Sequence, residues 1–230
     1  MTNLAEYGLD GINCTLCNNT GMLSRFDDAG IWYSRECSCM EKRRAIRRLK
    51  QSGLLNLMER YTFDNFQTPD EFTALLKDAA MKYCSSPNRW LYISGRPGSG
   101  KTHLCTAICG AMLENGQALS YAVWPETAGR IKSLKTKDPP PPEYEKELHL
   151  MKTVKVLYID DFFKGKPTTA DVKLAFEVIN ARYNNTDLRT IISSELTIDQ
   201  LAGIDRTTAG RIAERSLKLR APDRDWRRRR

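Results

Sequence analysis

The residues best suited to chemistry lie at positions 95–102, where Gly95-Arg96-Pro97-Gly98-Ser99-Gly100-Lys101-Thr102 satisfies G-x-x-x-x-G-K-[ST] in full. The glycines let backbone N–H groups converge on phosphate oxygens, and a helix opening after them adds a favourable dipole. Lys101 would then reach the β- and γ-phosphates of a nucleoside triphosphate, and the Thr102 hydroxyl would hold Mg²⁺. A plain glycine turn beside a lysine is the competing reading. The context weighs against it. Trp90-Leu91-Tyr92-Ile93 reads as a buried strand entering the loop, and Leu104, Ile108 and Met112, four apart, read as the helix leaving it.

A second motif supports the first. Val156-Leu157-Tyr158-Ile159-Asp160-Asp161 is an apolar strand that ends in two carboxylates. At the C-terminal edge of a parallel sheet these would face the nucleotide, with Asp160 binding Mg²⁺ through water and Asp161 orienting or polarising the attacking water. Alone, the pair would read better as a solvated start of a loop. The next strand, Arg189 to Leu196, ends in the polar run Ser193-Ser194-Glu195, where a sensor of the γ-phosphate would sit. Arg206, Arg211 and Arg215 follow, the last two on one helix face. They suit either a phosphate contact or a solvated basic face, and spacing does not choose between them.

Four cysteines fall within the first 40 positions as Cys14-x₂-Cys17 and Cys37-x-Cys39, two knuckles that together supply the four thiolates of a tetrahedral zinc site. A segment so poor in core residues gains its fold from the metal, although four reduced thiols are the alternative. Cys84, Cys105 and Cys109 read as small buried hydrophobes. His103 and His149 have no ligand-like company and read as structural, with His103, directly after the loop, also counted among the nucleotide-binding residues.

These groups must be positioned by alternating helices and strands. Helices are expected over Asp70 to Cys84 (N-cap Asp70, apolar face Phe72, Leu75, Leu76, Ala79, Ala80), Lys101 to Leu113, Thr127 to Leu134, Glu143 to Met151 and Thr169 to Tyr183. Strands are expected at 90–93, 118–123, 154–159 and 190–193. The fold class is therefore α/β, a mostly parallel sheet covered on both faces. The prolines at 139–142 require an extended loop. The 230 residues suit one full domain plus an appendage, divided as 1–60, 61–217 and a basic tail 218–230. The net charge of +8 favours an acidic partner, with nucleic acid the commonest. Part of it lies in Lys42–Lys50 and part in Arg224 to Arg230, where Trp226 could stack on a base, although solvated disorder serves the tail equally well. No secretory signal or membrane-length apolar run is visible, so a cytoplasmic protein with no membrane partner is expected.

The run Gly95–Thr102 with His103-Leu104, the Asp160-Asp161 pair, Ser193-Ser194-Glu195-Leu196-Thr197, Gly210-Arg211-Ile212 and the aromatic Tyr61-Thr62-Phe63-Asp64-Asn65-Phe66 resemble the DnaC/DnaI helicase loaders, of bacteria or phages. These are AAA+ ATPases, related to the IstB-type transposition ATPases. The resemblance covers about residues 60 to 217. It implies a P-loop AAA+ three-layer sandwich, ATP and ADP as ligands, slow hydrolysis acting as a switch, and self-association through sites shared between subunits. It also implies a DnaB-type hexameric replicative helicase and single-stranded DNA as partners, and a zinc-bearing N-terminal module that contacts the helicase. Arg215, with Arg211 beside it, matches the arginine that acts on a neighbour's nucleotide, and Ser194 or Glu195 falls at the sensor. Asp161 departs from the Glu of many AAA+ enzymes and Glu195 from the usual Asn. Only the residues after Arg215 remain for a helical lid, which would be truncated or absent. The rivals are an IstB-like transposition accessory ATPase, a helicase-binding adaptor whose nucleotide site is structural and, remotely, a small-molecule kinase.

Overall fold

The computed structural model describes residues 12–26, 28–86 and 89–226. They fall into two compact units, one ending at Leu55 and the other beginning at Asn56. The division lies five residues before the expected end at 60, inside a short helix.

The first unit holds an antiparallel hairpin, β1 (Met22–Phe26) and β2 (Trp32–Glu36), followed by helix α1 (Cys39–Gln51). The hairpin was not expected from sequence. Its strands bury almost nothing, so no alternation of apolar residues announces them. In α1 the basic run is only partly a solvated face. Arg43 is buried beside Ala45 and Leu49, and its guanidinium donates to Ile12 O (3.0 Å) and Asn19 Oδ1 (2.9 Å). Helix α2 (Leu54–Arg60) carries the chain across the division.

The second unit contains a five-stranded sheet in the order β4-β5-β6-β3-β7, every pairing parallel. The strands are β3 (Trp90–Ser94), β4 (Leu119–Val123), β5 (Val156–Asp160), β6 (Arg189–Ser194) and β7 (Ser216–Arg220). Strands β3, β5 and β6 are buried along their whole length, as continuous apolar runs require when helices cover both faces. One face carries α3 (Glu71–Ser85) and α4 (Lys101–Glu114). On the other, α5 (Trp124–Lys135), α6 (Pro142–Thr153), α7 (Thr169–Tyr183) and α9 (Arg206–Arg215) pack with Tyr92, Leu157, Ile159 and Ile192 into the main core. A short α8 (Ile198–Ala202) joins β6 to α9. This is the expected α/β sandwich.

Local signals place the helix starts. Asp70 accepts from Thr73 N (2.8 Å) and Thr168 from Asp171 N (3.3 Å), each a reciprocal capping box. The buried face of α3 differs from expectation. Thr73, Leu76, Ala80 and Tyr83 are buried while Phe72 and Leu75 stay exposed, so the buried stripe runs through the capping residue Thr73 rather than through Phe72. The expected tail from 218 is corrected too. Residues 216–220 form edge strand β7 against β3, with Lys218 and Arg220 on its exposed side. Alternating charge hid this strand, and the same charge keeps the sheet edge soluble. Among the described residues no α-helix follows β7, and none is long and apolar enough to cross a membrane.

Candidate functional site

The phosphate loop joins the C-terminal end of β3 to α4, at the sheet edge where ligands of α/β folds bind. Gly98 (φ 76°) and Gly100 (φ 91°) adopt left-handed backbone. At Gly100 even a methyl group would meet Phe66 at 3.5 Å and Trp226 at 3.7 Å, so the loop lies close beneath both rings. Lys101 is buried, and its ammonium donates to Gly95 O (2.7 Å) and Arg96 O (2.9 Å). Burial lowers its hold on the proton, and the carboxylates of Glu195, Asp161 and Asp160 oppose this. The Ser99 hydroxyl is buried and has no hydrogen-bond partner among the described residues. A loop whose lysine rests on its own carbonyls, with a spare hydroxyl, fits an anionic ligand.

Across from the loop, Asp160 ends β5 on the α4 side of the sheet. Its two oxygens lie 3.4 Å from the Thr102 hydroxyl, the arrangement expected of the pair that would hold Mg²⁺. Three further donors hold this carboxylate: the Tyr121 hydroxyl (3.1 Å), the Asp161 amide (3.2 Å) and the Ser193 hydroxyl. Burial and the neighbouring Asp160 charge keep the Tyr121 proton well above its ordinary range, so Tyr121 acts as a donor. Asp161 lines the cleft and is ion-paired with Lys164 (2.7 Å).

The sensor expectation needs correction. Ile159 pairs with Ile192, so one step further Ser193 lies beside Asp160. Strand residues alternate between faces, which sends Ser194 to the opposite side. There its hydroxyl donates to Phe162 O (2.7 Å). Glu195, just past the strand, does line the cleft. Parity of the strand, which composition does not show, decides which serine meets the carboxylate.

His103 also lines the cleft, stacked on Tyr61 (4.8 Å), edge-on to Phe66 (5.2 Å) and bonded to Thr62 O (2.9 Å). Burial favours its neutral form. The cleft measures about 610 Å³. Arg211 and Arg215 are not part of it. Arg211 lies over Phe176 (4.8 Å) and Tyr183 (5.6 Å); Arg215 donates to Thr186 O (3.2 Å) beneath Trp90 (5.7 Å) at the start of β3. Arg215 thus sits at the opposite end of β3 from the phosphate loop of its own chain.

The stretch after β7 crosses the phosphate loop. Ala221 N donates to Ser94 O (2.7 Å), Trp226 N to Gly98 O (3.0 Å), and Asp223 pairs with Arg96 (3.1 Å). The Asp225 carboxylate leans on Gly98, where an added Cβ would collide with it. Trp226, which the sequence leaves open between stacking on a base and solvated disorder, forms a wall of the cleft. Arg227–Arg230 lie outside the described residues.

In the first unit the sulfurs of Cys14, Cys17, Cys37 and Cys39 all lie within 4.8 Å of one another. The first knuckle is shaped by Asn18 and Asn19 in left-handed backbone, with Asn19 Oδ1 accepting from Cys14 N (2.8 Å). Gly21 N donates to Cys17 Sγ (3.3 Å) and Gly21 O accepts from Cys37 N (2.8 Å), tying the knuckles together. Burial raises the Cys17 thiol, but the Gly21 amide and the three neighbouring thiols outweigh it and bring it to about 7. Four sulfurs converging at this spacing fit the tetrahedral thiolate set of zinc.

A profile of IstB-like ATP binding proteins matches residues 17–212. The chain is 34% identical over 205 residues to the uncharacterized protein YqaM of Bacillus subtilis (strain 168), covering 81% of this chain but only 63% of that protein. It is 32% identical over 232 residues to the phage-like element PBSX protein XkdC of the same organism, covering 91% of this chain and 82% of that one. The crystal structure of the DnaC helicase loader shares the fold, with a TM-score of 0.61 at 20% identity over 72% of this chain and 98% of that one. With its complete phosphate loop and five-stranded parallel sheet, the chain belongs to the IstB-like ATP-binding family.

Proposed function

We propose that the chain is an ATP-dependent helicase loader, which binds a DnaB-type replicative helicase and single-stranded DNA and uses ATP as a switch. The observation that carries this reading is the conjunction, in one chain, of a complete phosphate loop whose Thr102 faces Asp160 and a separate unit built on four converging cysteines. The fold shared with the DnaC helicase loader and the relationship to a phage-element protein support it.

In the cleft, the amides of residues 98–102 and the Lys101 ammonium bind the phosphates. Thr102 and Asp160 hold Mg²⁺, which when bound neutralises phosphate charge. Ser193 and Tyr121 keep Asp160 aimed at that position. Asp161 accepts the proton of the attacking water. Arg211 and Arg215 lie away from their own cleft, so their action on phosphate requires a neighbouring subunit and hence self-association. In the N-terminal unit the four thiolates hold zinc and fix the hairpin whose exposed Phe26, Ile31 and Trp32 offer apolar area to the helicase. The basic residues of α1 that remain exposed give salt-sensitive contacts to DNA.

The family description favours a second reading, a transposition accessory ATPase. Co-purification of the full chain with a hexameric DnaB-type helicase, with and without the ATP analogue AMPPCP, separates the two. Association strengthened by the analogue is expected. Failure to associate in both states refutes the loader, and nucleotide-dependent capture of a transposase would install the second reading in its place.

A further inference from the structure

A strained turn after β5 faces the phosphate loop and carries a second lysine into the cleft. Asp161 (φ 55°) and Phe163 (φ 54°) both take left-handed backbone, which aspartate tolerates but a bulky aromatic residue avoids. Such backbone persists only where its surroundings over-determine it, and it concentrates at functional sites. The surroundings here do so. Phe162 and Phe163 are fully buried and stacked at 4.4 Å, with Trp124 edge-on to each. Phe162 N donates to Ser193 O (2.9 Å), and Phe162 O accepts from Ser194 (2.7 Å). The anchors leave two side chains to the cleft, Asp161 and Lys164.

Lys164 Nζ donates to Asp161 Oδ2 at 2.7 Å and lies 4.0 Å from Glu195 Oε1. Glu195 occupies the place at the end of β6 where a contact to the γ-phosphate is expected, yet a carboxylate repels phosphate and cannot donate to it. Lys101 is engaged on the loop side with Gly95 O and Arg96 O. Lys164 lies within ion-pair range of Glu195 and lines the cleft, where its ammonium can meet a terminal phosphate. Its side chain is half exposed, so its ion pair with Asp161 is weak and readily exchanged.

We propose that Lys164 reads the γ-phosphate and gates Asp161: with no γ-phosphate it pairs with Asp161, and a bound triphosphate draws the ammonium away and leaves that carboxylate free for the attacking water. The inference rests on the nucleotide site proposed above. In the hydrolysis that follows, the water oxygen bonds to the γ-phosphorus as the bond from that phosphorus to the β–γ bridging oxygen breaks. The electron pair leaves with ADP, and the water proton passes to Asp161.

The test measures binding of Mg²⁺–ADP and Mg²⁺–AMPPCP by calorimetry to the full chain, to Lys164→Gln and to Lys164→Arg. The preference for AMPPCP over ADP is expected to fall about tenfold in Lys164→Gln, equivalent to about 1.4 kcal/mol. ADP affinity should stay within about twofold and Lys164→Arg should keep most of the preference, since ADP lacks the group being read and arginine restores the cation. Lys164→Ala serves as the neutral variant should the glutamine disturb the turn, and thermal melting identifies that case. An unchanged preference in the neutral variants, or equal losses for both nucleotides, overturns the inference while leaving the nucleotide site intact. A wild-type chain that binds neither nucleotide overturns both, a distinguishable result.

Discussion

Ser193→Ala tests how the carboxylate at the centre of the site is held. The Ser193 hydroxyl is fully buried, donates to Asp160 Oδ1 and accepts from Asp161 N at 3.1 Å. Alanine removes a charge-assisted hydrogen bond to a carboxylate only 5% exposed and leaves the Asp161 amide with its bond to Asp160 alone. Hydrogen bonds to charged groups contribute about 1.5–3 kcal/mol, and the vacated space is too small for a large cavity cost. Tyr121 and Thr102 still approach Asp160, so the lower half of that range is expected, about 1.5–2 kcal/mol. In a unit of this size that lowers the melting temperature by roughly 3–8 °C. A metal ligand released from an orienting partner loses about 10–100-fold in metal affinity. Urea unfolding in EDTA reads the first quantity. Titration of Mg²⁺ against AMPPCP binding reads the second. A variant within about 0.5 kcal/mol of wild type, with the same Mg²⁺ midpoint, would refute the assignment of Ser193 as the partner of Asp160.

Two further outcomes follow from the same geometry. The purified chain should carry one zinc per molecule; chelation should open the first unit, so that trypsin cuts at Arg43, which is 1% exposed in the folded protein, while the second unit survives. Absence of zinc, or an unchanged digestion pattern after chelation, contradicts the metal-held knuckles. Asp225→Ala removes a carboxylate leaning on Gly98 and should tighten binding of an anionic nucleotide about three- to tenfold at low salt, with a smaller gain at high salt. Equal affinities at both salt concentrations contradict an electrostatic role for that contact.

What could be read from sequence was whatever is local. The phosphate loop, the Asp160-Asp161 strand end, the cysteine knuckles and the cap at Asp70 each need only a few adjacent residues, so their geometry is written at short range. The misses share a different cause. Choosing Ser193 over Ser194 needs the register of β6 against β5. Recognising residues 216–220 as a strand needs the open edge of β3, because Lys218 and Arg220 alone read as tail. Tyr121 reaches Asp160 from β4, a strand with no motif of its own. Lys164 is one more surface lysine until the turn anchored by Phe162 and Phe163 aims it into the cleft. The placement of Arg211 and Arg215 outside their own cleft follows from where α9 packs, which the spacing of the two arginines does not show.

The central claim is that the cleft binds and turns over ATP through Lys101 and Asp160. Its most direct test is Mg²⁺-dependent ATP binding and single-turnover hydrolysis by the full chain, set beside Lys101→Met and Asp160→Asn. Lys101 makes charge-assisted contacts to phosphate of about 1.5–3 kcal/mol, so Lys101→Met should weaken binding by about 10–100-fold and abolish turnover. Asp160→Asn should keep binding but lose the Mg²⁺ dependence and the hydrolysis. Wild-type affinity and turnover in both variants would contradict the account and leave the phosphate loop a structural turn.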